Sequence, residues 1–250
     1  MSTPILEAVG LTKRFGAVVA ADDLDLAVEA GETHAVIGPN GAGKTTLIGQ
    51  LTGLVRPDAG RIRLAGIDVT DTEPHVRARH GLARSFQITS VFEALTVLEN
   101  VVLAVQAVSG HSFRFFAPAL GERRLRETAL AALGRVGLEQ RAADPAHALS
   151  HGEKRQLELA MAVAPDPRLL LLDEPLAGQG PGEGEAIVAL LADLGRAHAI
   201  LLVEHDMDAV FQLADRITVL DGGRVIASGA PAAVRGDHRV REAYLGDADG

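Results

Sequence analysis

The sequence predicts an α/β fold in which a mostly parallel sheet stands beside an antiparallel β subdomain and a helical insert. Three observations predict it. Apolar runs at Thr33–Ile37, 169–172 and 200–203 are continuous, as in strands buried on both faces. Alternation of polar and apolar residues marks the first thirty positions, as in half-buried strands. Helical periodicity dominates the middle.

Taken in order, Leu24-Asp25-Leu26-Ala27-Val28-Glu29 alternates with period two. Arg61-Ile62-Arg63-Leu64 repeats that period after the turn residues Pro57-Asp58-Ala59-Gly60. The run from Thr33 to Ile37 leads into a glycine cluster and then a helix predicted over 45–54. Leu125, Ala129, Leu133 and Val136 form one helical stripe; Met207, Val210, Phe211 and Ala214 form another. Residues 217–220 and 225–228 flank Asp221-Gly222-Gly223, a hairpin signal. We expect a single domain over 1–250, with the α/β core and β subdomain at 1–87 and 165–250 and the helical subdomain at 88–164.

Composition narrows the function. The 250 residues carry 33 acidic and 24 basic side chains, a formal charge of −9, so no global attraction to nucleic acid is expected. Aromatics are 3% and Trp is absent, which argues against base-stacking platforms. With no cysteine, disulfides, thiolate metal sites and cysteine nucleophiles are excluded. The longest apolar stretch, 101–108, falls far short of the roughly 20 residues of a membrane span. The expected location is cytoplasmic, with any membrane task performed through a partner.

Gly38-Pro39-Asn40-Gly41-Ala42-Gly43-Lys44-Thr45-Thr46 satisfies the phosphate-loop pattern, after a strand and before a helix. Its glycines let backbone N–H groups curl around phosphate oxygens, and the helix N-terminus adds a positive dipole end. Lys44, one of only three lysines, supplies a charge for the β and γ phosphates, and the Thr45 hydroxyl is a ligand for Mg²⁺. The bound species is therefore expected to be a nucleoside triphosphate with Mg²⁺.

Leu169-Leu170-Leu171-Leu172-Asp173-Glu174 reads as a buried strand ending in two acids. Acids at the carboxyl end of a central strand lie beside the phosphate loop of an open α/β sheet. Asp173 then holds Mg²⁺ through its water shell, and Glu174 polarises the attacking water. The competing reading is a solvated acidic turn closed by Pro175. A third run, 200–203, ends in Glu204-His205-Asp206. There His205 is either a surface or capping residue at a helix start or a neutral imidazole on the γ-phosphate.

With these residues assembled, the chain resembles the ATPase subunit of an ABC transporter over its whole length. Leu149-Ser150-His151-Gly152-Glu153 is similar to that family's signature and stands 23 residues before Asp173 when counted from Ser150. Ser150 and Glu153 also have capping-box spacing. The resemblance implies ATP sandwiched in a homodimer or heterodimer, with Ser150 and Gly152 meeting the γ-phosphate bound by the opposite subunit. It implies that Phe15 stacks on adenine, although a lone Phe is more often core. It also implies that Gln87 meets Mg²⁺ and the water, and that His205 is the switch histidine. His151, Glu153 and Gly180 depart from the family pattern, the last at the usual D-loop aspartate.

Within the family, Leu176-Ala177-Gly178-Gln179-Gly180-Pro181, Val203-Glu204-His205-Asp206-Met207 and Ala243-Tyr244-Leu245-Gly246 resemble ATPases of branched-chain amino-acid importers. This implies a peripheral subunit on the inner face of the cell membrane, held by multi-span permeases, with an extracytoplasmic solute-binding protein in the system. Urea and lipopolysaccharide-type transporters are near neighbours, and a soluble ABC-type ATPase of an assembly system is the rival from another class. A P-loop kinase or GTPase lacks support: no N-K-x-D run is present. Five of seven phenylalanines (Phe86, Phe92, Phe113, Phe115 and Phe116) fall within 31 residues, as a subdomain core or as a docking groove.

Overall fold

The computed structural model describes residues 3–84, 91–108 and 123–245. The alternating N-terminal segments form an antiparallel sheet from β1 (Leu6–Phe15) and β2 (Val18–Val28), joined by β4 (Ala59–Leu64) and β5 (Ile67–Asp68) in the order β2-β1-β4-β5. A second sheet contains β3 (Thr33–Ile37), β6 (Leu82–Arg84), β7 (Leu169–Asp173), β8 (Ala199–Val203), β9 (Arg216–Asp221) and β10 (Arg224–Gly229). Its order is β10-β9-β3-β8-β7-β6, parallel except for β10, which returns antiparallel to β9 through the hairpin expected at Gly222-Gly223.

Every residue of β3, β7 and β8 is buried, as their continuous apolar runs require. Strand pleating sorts those residues between two cores. Leu170, Leu172, Ile200 and Leu202 pack into a helical cluster with Val97, Val101, Leu133 and Leu157. Leu169, Leu171, Leu201 and Val203 pack on the other face, against Leu47, Ile48 and Leu51 and the apolar face of the antiparallel sheet. A third cluster joins Ala35, Ile37, Ile217 and Val219 to Val210, Val234 and Val240.

The helices are α1 (Lys44–Thr52), α2 (Pro74–Arg79), α3 (Val97–Val108), α4 (Arg123–Arg135), α5 (His151–Val163), α6 (Pro181–Gly195), α7 (Met207–Leu213), α8 (Pro231–Gly236) and α9 (His238–Leu245). α3, α4 and α5 supply the helical core between β6 and β7, with Leu125, Ala129 and Leu133 of the expected stripe buried on α4. α1 ends two residues before the expected 54 because Gly53 turns left-handed at φ 83°. Arg77 of α2, buried, completes that end. Its guanidinium donates to the carbonyls of Gln50 (2.6 Å), Leu51 (2.7 Å), Thr70 (2.9 Å) and Thr72 (3.2 Å). A cation on the last carbonyls of a helix satisfies orphan acceptors and complements the dipole.

Candidate nucleotide site

The loop from Gly38 to Thr46 leaves the C-terminal end of β3 and enters α1. Gly38 (φ 153°) and Gly43 (φ 102°) show why glycine is required: a Cβ would lie 2.2 Å from the Leu220 carbonyl at the first and 2.3 Å from the Ala20 carbonyl at the second. The loop is thus wedged between β9 and β2. The hairpin turn locks it there, since Gly223 N–H donates to Ala42 O (3.0 Å) while Gly223 O accepts from Asp22 N–H (2.9 Å).

At the head of α1, Gly43 offers no side-chain cap and the first turn holds no acid. A helix start of this kind suits an anion, which its first N–H groups and dipole both favour. Lys44 Nζ lies over the loop, donating to the carbonyls of Gly38 and Pro39 (2.9 Å to the latter). Asn40, Gly41 and Thr45 are exposed, Thr46 is half-buried, and Pro39 and Ala42 are buried.

Val203 of β8 pairs with Val36 of β3 on one side and Asp173 of β7 on the other. Asp173 thus stands level with the end of β3, two strand spacings or about 10 Å from it, beside the phosphate loop. Its side chain is buried, which removes the reading of a solvated acidic turn. Burial pushes its carboxyl above the ordinary range; the Arg84 guanidinium, 3.1 Å from Oδ2, pulls it back, and Glu174 raises it again. Glu174 adopts φ 48°, a strained value for a non-glycine residue, and is anchored by its N–H to Val203 O (2.8 Å). Its side chain is 33% exposed, with Oε1 4.0 Å from His205 Nδ1.

Asp206, not His205, caps α7, accepting from the N–H groups of Asp208 and Ala209. His205 is free of that task and lies exposed beside Glu174. Glu204, fully buried, ties the two strand ends together: Oε1 accepts from Leu176 N–H (2.8 Å) and Oε2 from His205 N–H (3.0 Å). Arg155 of α5 holds the same loop from below, donating to Glu174 O (3.3 Å), Pro175 O (3.1 Å) and Glu158 Oε2 (2.7 Å). The roles of Arg84, Arg155 and Glu204 were not expected from the sequence. Only Glu204 carried a signal, as an acid at the end of a buried strand.

Phe15 lies at the β1–β2 hairpin, exposed, with Lys13 Nζ 5.5 Å from its ring centre, so its core reading is wrong. It pairs with Val18, two residues before the Ala20 carbonyl that abuts Gly43. Ser150 caps α5 in a true capping box: its hydroxyl accepts from Glu153 N–H (3.2 Å) and its N–H donates to Glu153 Oε2 (2.8 Å). The Ser150 amide, with Arg141, holds the Glu153 carboxyl below its ordinary range. Gly152 follows at the second position of the helix. Gln87 lies outside the described residues, as do Phe86, Phe113, Phe115 and Phe116.

Among the described residues no three His, Asp or Glu side chains gather to form a protein-built metal cage. One buried carboxylate and one threonine hydroxyl beside a phosphate loop are hard oxygen donors. That set fits a Mg²⁺ ion completed by water and the nucleotide's own phosphates. Thr45 and Asp173 would hold it.

Fold and site together define a P-loop ATPase. The model of the ABC transporter family matches residues 21–177, and that of the branched-chain amino acid ATP-binding cassette transporter matches 224–250. The high-affinity branched-chain amino acid transport ATP-binding protein BraF of Pseudomonas aeruginosa is 40% identical, over 99% of this chain and all of that one. Among solved structures, the ADP conformation of MJ1267, an ATP-binding cassette of an ABC transporter, superposes with a TM-score of 0.87 at 30% identity, over 98% of this chain and all of that one. The dimeric post-hydrolysis state of the cassette MJ0796, bound to ADP and Pi, gives 0.75 at 26% identity over 90% and 98%. The chain belongs to the ABC transporter family as one of its ATP-hydrolysing subunits. Among its described residues no helix is long and apolar enough to cross a membrane.

Proposed function

We propose that this subunit energises uptake of branched-chain or other hydrophobic amino acids, closing on a second cassette around ATP and opening after hydrolysis. The observation that carries the catalytic reading is the meeting of Glu174 and His205 at the ends of adjacent buried strands, level with the phosphate loop. Full-length similarity to BraF, with the match at 224–250, supports the substrate class.

ATP enters with its base against Phe15 and its phosphates in the loop 38–46. Lys44 turns from its own loop carbonyls to the β and γ phosphates, joined by the amides at the head of α1. Mg²⁺, when bound, neutralises charge on those phosphates. Glu174 orients the attacking water and accepts its proton, while His205 steadies the γ-phosphate. Gln87 would give its amide oxygen to the metal and hydrogen-bond the water. Ser150 and Gly152 serve the nucleotide of the opposite subunit, at the N-terminus of α5. Phosphate loss removes the contacts that hold the dimer shut.

The permease docks on a groove of about 750 Å³ between α2, β6, α3 and α5, lined by Leu54, Ile67, Phe92, Ala104, Met161 and Arg168. Leu54, Ile67 and Phe92 are among the large apolar side chains that the chain leaves exposed. A patch of this kind rimmed by charge is suited to a protein partner. The subunit then sits at the cytoplasmic face of the membrane, with an extracytoplasmic binding protein delivering solute.

The test is to purify the chain with the permeases encoded beside it and to measure ATPase activity in proteoliposomes. Stimulation by a leucine-loaded binding protein is expected. Failure to co-purify with any multi-span protein removes the transport reading, and stimulation by urea alone removes the amino-acid assignment.

A further inference from the structure

The turn that opens α5 carries a carboxylate, Glu153, at a place where a phosphate is to be received. Lys154, next in sequence, is engaged elsewhere, donating to Glu93 at 2.7 Å. A second carboxylate, Glu183, leans on the same turn, its Cδ 3.2 Å from where a Cβ on Gly152 would sit. Two negative groups therefore crowd the first turn of α5.

Arg141 lies in the short 3-10 turn Glu139–Arg141 that follows α4. Its Nη1 donates to Glu153 Oε1 at 2.5 Å, its Nε to the Asp144 carboxylate, and its Nη2 reaches Ala148 O at 3.4 Å. One guanidinium thus spans the segment 144–153 and faces the carboxylate on the side not used by the Ser150 amide. Both side chains are about one-third exposed, 34% for Arg141 and 28% for Glu153, so a phosphate brought to the turn would feel the charge of each.

We propose that Arg141 is a positioning residue for the phosphate that this turn meets across the dimer: it turns Glu153 into a helix cap and takes up its charge, so that the amides ahead of it still receive an anion. This rests on the reading of Ser150 and Gly152 as a site acting on the opposite subunit's nucleotide. A glutamate in place of the family's glutamine is then workable because an arginine is built beside it. Without Arg141 the carboxylate repels the incoming phosphate, and like-charge juxtaposition at a closing interface weakens association by at least about tenfold.

The experiment uses the full chain with Glu174→Gln, in which hydrolysis is slowed, and measures ATP-dependent dimerisation by sedimentation velocity. Arg141→Met is expected to weaken dimerisation at least about tenfold. Monomer affinity for a fluorescent ATP analogue should stay unchanged. Adding Glu153→Gln to Arg141→Met is expected to restore dimerisation to within about twofold, because the charge that needed neutralising is gone. A double variant as weak as Arg141→Met alone overturns the proposal and leaves Arg141 a brace for Asp144 and Ala148. So does undiminished dimerisation in Arg141→Met. Failure of the Glu174→Gln parent to dimerise with ATP overturns the trans reading, and the proposal with it.

Discussion

Replacing Arg155 by methionine removes a side chain that joins α5 to the backbone of Glu174 and Pro175. The Arg155 side chain is 12% exposed and that of its carboxylate partner Glu158 is 5% exposed, so the pair lies largely out of water. Losing one member of a buried pair costs about 3–5 kcal/mol, because the other charge is left behind. Among the described residues Glu158 Oε1 has no hydrogen-bond partner, so the carboxylate has nothing to replace the arginine. The carbonyls of Glu174 and Pro175 lose their donor as well. Some access of water to the arginine places the total near the lower end, about 3 kcal/mol. For a chain of this size that lowers the melting temperature by roughly 10 °C. Urea denaturation followed by circular dichroism measures it, with the Arg155→Met/Glu158→Met pair as comparison. Two well-packed apolar side chains should recover most of the loss. A single variant within about 1 kcal/mol of wild type, or a pair as unstable as the single, would refute the reasoning.

Glu174→Gln is expected to lower kcat by about 10²–10⁴-fold with ATP affinity retained, trapping an ATP-bound dimer; brisk turnover in a coupled phosphate-release assay would remove Glu174 from its role. Phe92→Asp places a charge in the apolar groove and should abolish recruitment to permease-containing membranes while ATP binding survives; recruitment at wild-type levels sinks the docking assignment. Burial drives the His34 imidazole down from 6.5 to about 4, with Glu32 opposing and Arg216 assisting. It stays neutral in the fold, its Nε2 hydrogen-bonded to the Thr218 hydroxyl at 2.8 Å. The unfolded chain takes the proton first, so this contribution is complete above pH 6.5 and is lost as pH falls toward 4. Between pH 7.5 and 5.5 the wild type should lose about 1 kcal/mol more than His34→Gln in urea titrations; equal losses in the two proteins would contradict it.

What the sequence made legible was what is local. The phosphate loop, the acid pair and the capping box are each read within ten consecutive residues, and the three continuous runs announced buried parallel strands. The supports of the site were not legible, because their partners lie far away along the chain. Arg84 meets Asp173 across 89 residues, and Arg155 meets Glu174 across 19. Nothing in an isolated arginine tells a buried counter-ion from a solvated surface charge. β6 is three residues long and too short to show a period. α6, by contrast, had its signals: proline at its first position, Glu183 at its third and the stripe Ile187, Leu191 and Leu194. Phe15 shows the limit of general preference, which puts a lone Phe inside; the resemblance made it a face for adenine, and it stands in solvent.

α5 is capped by Ser150, is tied to the loop after β7 by Arg155, and lines the apolar groove with Glu158, Met161 and Ala162. At about 1.5 Å per residue, Gly152 and Met161 are some 14 Å apart on one hydrogen-bonded rod. A tilt imposed at its head is therefore carried along the helix as a displacement of the groove wall. On the roles proposed for Ser150, Gly152 and the groove, the same element is a tappet, with fuel sensed at one end, load carried at the other and the end of β7 as its fulcrum.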